Sequence, residues 1–263
     1  MSGGDPSDDG LVGVVLAAGA GTRLAPLTRL RPKALVPVGG SPLVDHALAR
    51  VAPHVAEVAV NVHHGRLLME AHLTRPGAAV RPHLSVEPGR ARGTAGALGL
   101  LRGWVAGRGV LLTNADAWLP ADLTGFVAGW DGERVRLLCV EAPGRGDFGT
   151  LRYCGAALLP WACVADLSDE PSGLYEVMWR AEREAGRLDL VTHPGPFVDC
   201  GTVADYLAAN LDASGGAAVI GEGARVGEGS EVVRSVVWGD AEVAPGERLV
   251  DAVRAGGITV LVR

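Results

Sequence analysis

Apolar and polar positions alternate in blocks along the first half of the chain. Leu11 to Ala18 is a short, nearly unbroken apolar run that ends at Gly19, the pattern of a strand buried on both faces. Pro42 to Val51 carries apolar residues at helical spacing behind Ser41, whose hydroxyl suits an N-cap. Glu57 to Val62 reads as a second strand, with Asn61, His63 and His64 at its exit. Arg66 to Leu73 reads as a helix and Ala79 to Val86 as a strand. Thr94 to Trp104 is again helical in pattern, and Gly109 to Thr113 is an apolar strand terminated by Asn114-Ala115-Asp116. This alternation predicts an α/β fold of Rossmann-like type, a mixed but mainly parallel sheet with helices on both faces.

In the second half, Arg134 to Val140 is a further strand and Asp147 to Leu159 a glycine-punctuated apolar stretch. Gly173 to Gly186 is an amphipathic helix ending at its glycine, Phe197 to Asp199 is short and extended, and Thr202 to Leu211 is helical. From Val219 the texture changes. Ile220, Val226 and Val232 are six residues apart, and so are Val237, Val243 and Leu249, with glycine-rich acidic spacers between them. One branched apolar residue per six predicts a short, hexapeptide-like, left-handed parallel β-helix of about two coils. So small a coil packs on the main domain or on another copy, making assembly of a homo-oligomer through the hexads one expectation. The expected organisation is a disordered tail at 1–10, a main domain at 11–215 and the hexad appendage at 216–263.

Composition narrows the function classes. Of 263 residues 48% are hydrophobic, so the bulk of the chain has ample apolar surface to bury and is not disordered. Lys and Arg number 24 against 30 Asp and Glu, with no basic block, which argues against nucleic acid as a partner. No apolar stretch approaches the roughly 20 residues of a membrane helix, and the acidic, polar Met1–Gly10 is the reverse of a signal peptide. Cys139, Cys154, Cys163 and Cys200 show no metal-ligand spacing and read as small thiols in a reducing cytoplasm. His63 and His64 would point to opposite faces of a strand, which favours structural roles over a metal pair. The six scattered tryptophans read as core or interface.

The chemistry concentrates after the first strand. Gly19-Ala20-Gly21-Thr22-Arg23 can bring backbone N–H groups against an anion, because no Cβ blocks the approach. A dinucleotide fingerprint would need glycine where Leu24 stands, and no Gly-Lys-Ser/Thr closes the turn as a Walker loop requires. Arg23 and Lys33 instead stand among stiffening glycine and proline residues. A planar guanidinium and a compact ammonium could together neutralise a triphosphate and the charge that builds during attack on it. Asp116, just past a buried strand, sits where open α/β sheets bind ligands.

The run from Leu16 to Leu43 resembles the signature of the sugar-1-phosphate nucleotidyltransferases, the nucleotide-sugar pyrophosphorylases. Three further stretches are similar to that family in order: Glu87 to Leu98, Leu112 to Asp116, and Phe197 to Leu207. The resemblance spans about residues 11–212. It implies a nucleoside triphosphate and a sugar-1-phosphate as substrates, with Mg2+ as cofactor. It implies nucleotide contacts from Leu16, Ala17, Ala18, Gly19, Gly21, Thr22, Glu87, Gly93, Thr94 and Ala95, catalytic roles for Arg23 and Lys33, and metal ligation by Asp116 and Asp199. It implies sugar-phosphate contacts from Asn114, Asp147, Gly149 and Gly155.

Two branches are mixed. Gly93-Thr94-Ala95-Gly96-Ala97 is similar to the mannose-1-phosphate guanylyltransferases, which makes GDP-mannose formation from GTP the leading expectation. Gly146-Asp147-Phe148-Gly149 and Tyr153-Cys154-Gly155 look more like the N-acetylmuramate-1-phosphate uridylyltransferases, so uridylyl or thymidylyl transfer to another sugar-1-phosphate is the alternative. The Glu-Lys-Pro of many members is absent: Glu141 is followed by Ala142-Pro143, leaving Arg145 or Arg152 to replace the lysine. A non-catalytic nucleotide-sugar-sensing subunit is the reading from another class.

Overall fold

The computed structural model describes residues 10–262, so all of the expected N-terminal tail except Gly10 lies outside the described residues. The chain forms two compact units. The first comprises residues up to Gly19 with 46–115 and 119–195; the second comprises 20–45, 116–118 and 196–263.

The first unit is built on a seven-stranded sheet: β1 (Leu11–Leu16), β2 (Val58–Val62), β3 (His83–Val86), β4 (Gly109–Asn114), β5 (Val135–Glu141), β6 (Leu151–Leu159) and β7 (Leu188–Thr192). Their spatial order is β7-β5-β6-β4-β1-β2-β3. All neighbours run parallel except β6, which is antiparallel to both β4 and β5, so the sheet is mixed and mainly parallel as expected. β1 is an interior strand, flanked by β4 and β2, and its inner residues Val12 to Val15 are buried on both faces. Alternation sends Val12 and Val14 into one core with Ala95, Leu98 and Leu101 of the helix Gly93–Val105, and Val15 to the opposite face. Gly13 in the same strand is needed for close packing: a Cβ there would stand 3.1 Å from Val55 Cγ2.

Several element limits differ from the sequence pattern. The strand expected from Ala79 begins only at His83, because Pro82 has no N–H to give the ladder. Ser41 does not cap the helix α1 (Leu43–Val51); Ser41–Pro42 instead pairs antiparallel with Pro37–Val38. The apolar stretch from Asp147 opens as a turn before β6, and the helix expected over 173–186 runs as a π-helical turn, Tyr175–Trp179, followed by α-helix to Glu184.

The second unit has its own core. Leu24, Leu27 and Val36 from the glycine-proline segment pack with Tyr206 of the helix Val203–Ala213 and with Trp238 and Val253 of the C-terminal segment. That helix starts on a reciprocal cap, Thr202 Oγ1 accepting from Asp205 N while Asp205 accepts from Thr202 N. In the hexad region three short strands, Val219–Ile220, Arg225–Val226 and Glu231–Val233, each pair in parallel with a later one, Val236–Val237, Glu242–Val243 and Arg248–Val250. Val237, Val243 and Leu249 are buried, whereas Ile220 and Val226 of the earlier set are exposed. Among the described residues no helix is long and apolar enough to cross a membrane.

Candidate active site

The second unit assembles four of the charged residues singled out in the sequence. Gly21 adopts a left-handed conformation, φ +59°, and starts the short helical turn Thr22–Leu24 that carries Arg23. A Cβ at Gly21 would stand only 2.8 Å from Lys33 Cβ and 3.0 Å from Thr28 Cγ2, so glycine lets the lysine backbone come close. Thr28 Oγ1 donates to Gly21 O at 3.1 Å and holds that approach. Lys33 follows Pro32, whose extended backbone begins the turn Lys33–Leu35, and its side chain is buried.

A two-residue antiparallel ladder solves the problem that Asp116 and Asp199 are remote in sequence. Ala117 pairs with Asp199 and Trp118 with Val198, and Cys200 N donates to Asp116 O at 3.3 Å. Both carboxylates thereby reach one ammonium: Lys33 Nζ lies 3.1 Å from Asp116 Oδ2 and 3.4 Å from Asp199 Oδ1. Arg23 approaches the other oxygen of Asp199 at 3.9 Å and is largely solvent-exposed. Gly201 leaves room for it, since a Cβ there would stand 3.0 Å from the guanidinium. Two cations and two carboxylates make a charge-balanced group, with Asp116 half exposed. A pair of carboxylates of this kind suits Mg2+, which takes one or two protein carboxylates and completes its shell with phosphate oxygens and water. No cluster of three or more potential metal-ligating side chains occurs among the described residues.

The first unit holds a separate hydrogen-bond chain. Leu16 at the end of β1 is level with Asn61 on one side and Asn114 on the other. Ala17 N donates to Asn61 Oδ1 at 2.7 Å, Asn61 Nδ2 donates to Glu87 Oε1 at 2.7 Å, and Arg92 N donates to Glu87 Oε2 at 2.7 Å. Glu87 is buried and ties the loop after β1 to the one that opens the helix at Gly93. His63 joins the same chain through Nδ1, 2.9 Å from Glu87 O, a structural role. Ala18 is buried and Gly19 is open, with nothing within 4 Å of a Cβ placed on it.

Two expected nucleotide contacts are engaged within the protein. Ala95 N donates to Ser172 O at 3.0 Å, and Thr94 Oγ1 accepts from Leu174 N at 2.8 Å. Gly93, at φ +69°, lets that segment approach, because a Cβ there would meet Ser172 O. Of the expected sugar-phosphate residues, Asp147 accepts from Tyr153 N at 2.9 Å and closes the hairpin between β5 and β6, with Gly149 in its turn at φ +75°. Gly155, at φ +98°, faces the side chain of Asn114, whose Oδ1 is buried with no partner among the described residues. Arg145 stands in the turn after β5, where its N donates to Ala142 O, and Arg152 is in β6. Arg50 and Asn61 were not singled out for chemistry: a basic residue in a last helical turn reads as solvated, and a strand-end asparagine carries no pattern.

The cysteines are free, and burial pushes the Cys139, Cys154 and Cys200 thiols up to about 12.

Comparison with known proteins gives the family. The sequence pattern of the nucleotidyl transferase family matches residues 12–141. The chain is 32% identical over 230 residues to an N-acetylmuramate alpha-1-phosphate uridylyltransferase of Caulobacter vibrioides, covering 75% of this chain and 95% of that protein. In fold it is similar to a mannose-1-phosphate geranyltransferase from Thermus thermophilus, with a TM-score of 0.69 and 21% identity over 96% of this chain and 94% of that one. It is likewise similar to a UDP-glucose pyrophosphorylase from Acinetobacter baumanii, with a TM-score of 0.65 and 15% identity over 76% and 92% of the two chains. The chain belongs to the nucleotidyl transferase family, as an enzyme of the sugar-1-phosphate nucleotidyltransferase type.

Proposed function

We propose that this enzyme transfers a uridylyl group from UTP to N-acetylmuramate α-1-phosphate or a close sugar relative, releasing pyrophosphate. The observation that carries the substrate reading is the match to the Caulobacter uridylyltransferase along nearly that protein's whole length. The turn at Gly146–Gly149 and the strand at Tyr153–Gly155 support it, being the stretches whose sequence already leaned to that branch. GDP-mannose formation, the leading expectation from the Gly93 loop, has only a distant fold likeness behind it.

For the chemistry, the supporting observation is the group formed by Arg23, Lys33, Asp116 and Asp199. The nucleophile is a sugar-phosphate oxygen that is already an anion, so no general base is needed. It attacks the α-phosphorus in line, and the electron pair of the breaking bond leaves with pyrophosphate. Positioning and charge neutralisation carry such a step. Arg23 and Lys33 serve that neutralisation, and Asp116 and Asp199 hold Mg2+, which supplies Lewis-acid charge stabilisation when bound. Leu16 to Gly19, Gly21 and Thr22 cradle the triphosphate, while Asn114 and Gly155 face the sugar phosphate. The parallel strand pairs after Val219 support the reading of this segment as a short β-helix of left-handed hexapeptide type that serves as a contact between copies. A cytoplasmic location is part of the same reading.

Pyrophosphate release across UTP, GTP, dTTP, ATP and CTP, each with several sugar-1-phosphates in Mg2+, tests this directly. The expected maximum is UTP with N-acetylmuramate α-1-phosphate. A maximum at GTP with mannose-1-phosphate would overturn the substrate reading, and no release from any pair would overturn the proposed chemistry.

A further inference from the structure

Arg50, in the last turn of α1, is a buried cation that no carboxylate accompanies among the described residues. Its guanidinium is held by neutral acceptors only. Nε and one terminal nitrogen donate to Thr113 Oγ1 at 3.1 and 2.8 Å, that same nitrogen donates to Asn114 O at 3.1 Å, and the other donates to Leu119 O at 2.7 Å. Burial depresses its pKa to about 10, which still leaves it cationic at neutral pH. An uncompensated buried charge is an expensive way to hold a helix end, so its location calls for a reason.

The acceptors supply that reason. Thr113 Oγ1, which accepts two guanidinium bonds, donates its own hydrogen bond to Gly155 O at 2.9 Å. One guanidinium thus fixes the carbonyl of Asn114 directly and that of Gly155 through a single hydroxyl. Asn114 and Gly155 are the residues that face each other, a Cβ on Gly155 standing 3.5 Å from Asn114 Cβ. Asn114 Oδ1 is buried and lacks a partner among the described residues, so the pair presents an unused acceptor whose position depends on those two carbonyls. The planar fork of arginine holds its three acceptors in fixed directions over a wide span, which a compact, freely rotating ammonium does not.

We propose that Arg50 is a positioning residue for the sugar-1-phosphate subsite, acting through Thr113 on Asn114 and Gly155. This rests on the reading that Asn114 and Gly155 contact the sugar phosphate. The experiment uses the full chain and the substrate pair most active in the matrix above, and compares Arg50→Lys, Thr113→Val, Thr113→Ser and Asn114→Ala. Arg50→Lys and Thr113→Val raise the KM for the sugar-1-phosphate about tenfold, the scale of one lost charged hydrogen bond, with the KM for the triphosphate unchanged. Thr113→Ser, which keeps the hydroxyl, retains the original sugar KM. If Arg50→Lys does not fold, the two Thr113 variants decide alone. An unchanged sugar KM in Thr113→Val, or an equal rise in both KM values, overturns the inference while Asn114→Ala still raises the sugar KM. If Asn114→Ala itself leaves the sugar KM unchanged, the subsite reading fails and the inference with it.

Discussion

Replacing Gly21 by alanine tests the local geometry of the cationic group most directly. Two penalties add. A non-glycine residue at φ +59° pays about 1–2 kcal/mol for the left-handed region. The new methyl would stand 2.8 Å from Lys33 Cβ and 3.0 Å from Thr28 Cγ2, and overpacking of that kind costs about 1–3 kcal/mol. The sum, about 2–5 kcal/mol, is a large fraction of a typical domain's stability. Relief requires the Lys33 backbone to move, so turnover should fall together with stability. Gly19→Ala is the internal comparison, because nothing lies within 4 Å of its added Cβ and its φ is not positive. It should cost little stability yet raise the KM for the triphosphate, since a methyl would stand between the loop backbone and the phosphates. Urea unfolding followed by circular dichroism reads the stability, and pyrophosphate release reads the activity. If Gly21→Ala unfolds within about 0.5 kcal/mol of the parent and keeps its turnover, the close approach of Lys33 is not what the glycine is for.

Arg23→Ala should lower kcat about 10²–10³-fold with little change in thermal midpoint, because its side chain is exposed and the Asp199 carboxylate is as far as 3.9 Å away; near-normal turnover would remove Arg23 from the charge-neutralising role. Glu87→Gln leaves one acceptor where Asn61 and Arg92 both donate, so it should destabilise the fold by about 1–3 kcal/mol in a urea melt, whereas a solvated glutamate would show no change. In alkylation at pH 8 followed by mass spectrometry, Cys163 should label first. It is the least buried of the four, and the Cys139, Cys154 and Cys200 thiols titrate only near 12, above which, as pH rises, their thiolates would form.

Much of the site was legible because its chemistry depends on local pattern. Gly21, Arg23 and Lys33 could be picked out since a backbone held near an anion demands glycine and cations within one short segment. The alternation of strand and helix, and β1 buried on both faces, followed from hydrophobic periodicity, which reports burial without needing to know the neighbour. The antiparallel course of β6 and the late start of β3 did not, because ladder partners are chosen by non-local pairing. Likewise the hydrogen-bond partners of Glu87, Thr94 and Ala95 were not legible, because Asn61, Arg92, Ser172 and Leu174 are brought to them by non-local folding.

The amino-acid sequence alone determined the fold class through its periodicity and the reaction type through motifs that each occupy one stretch of chain, and the resemblance those motifs carry is what pointed to the four charged residues. Only the tertiary structure decided that Asp116 and Asp199 meet on Lys33, that the glycine-proline segment shares a core with the C-terminal strands, and that Arg50 is buried against Thr113. The physical reason is common to all three. Backbone ladders and packed cores join segments far apart in sequence, and a charge's environment is set by what folds over it, which no single stretch encodes.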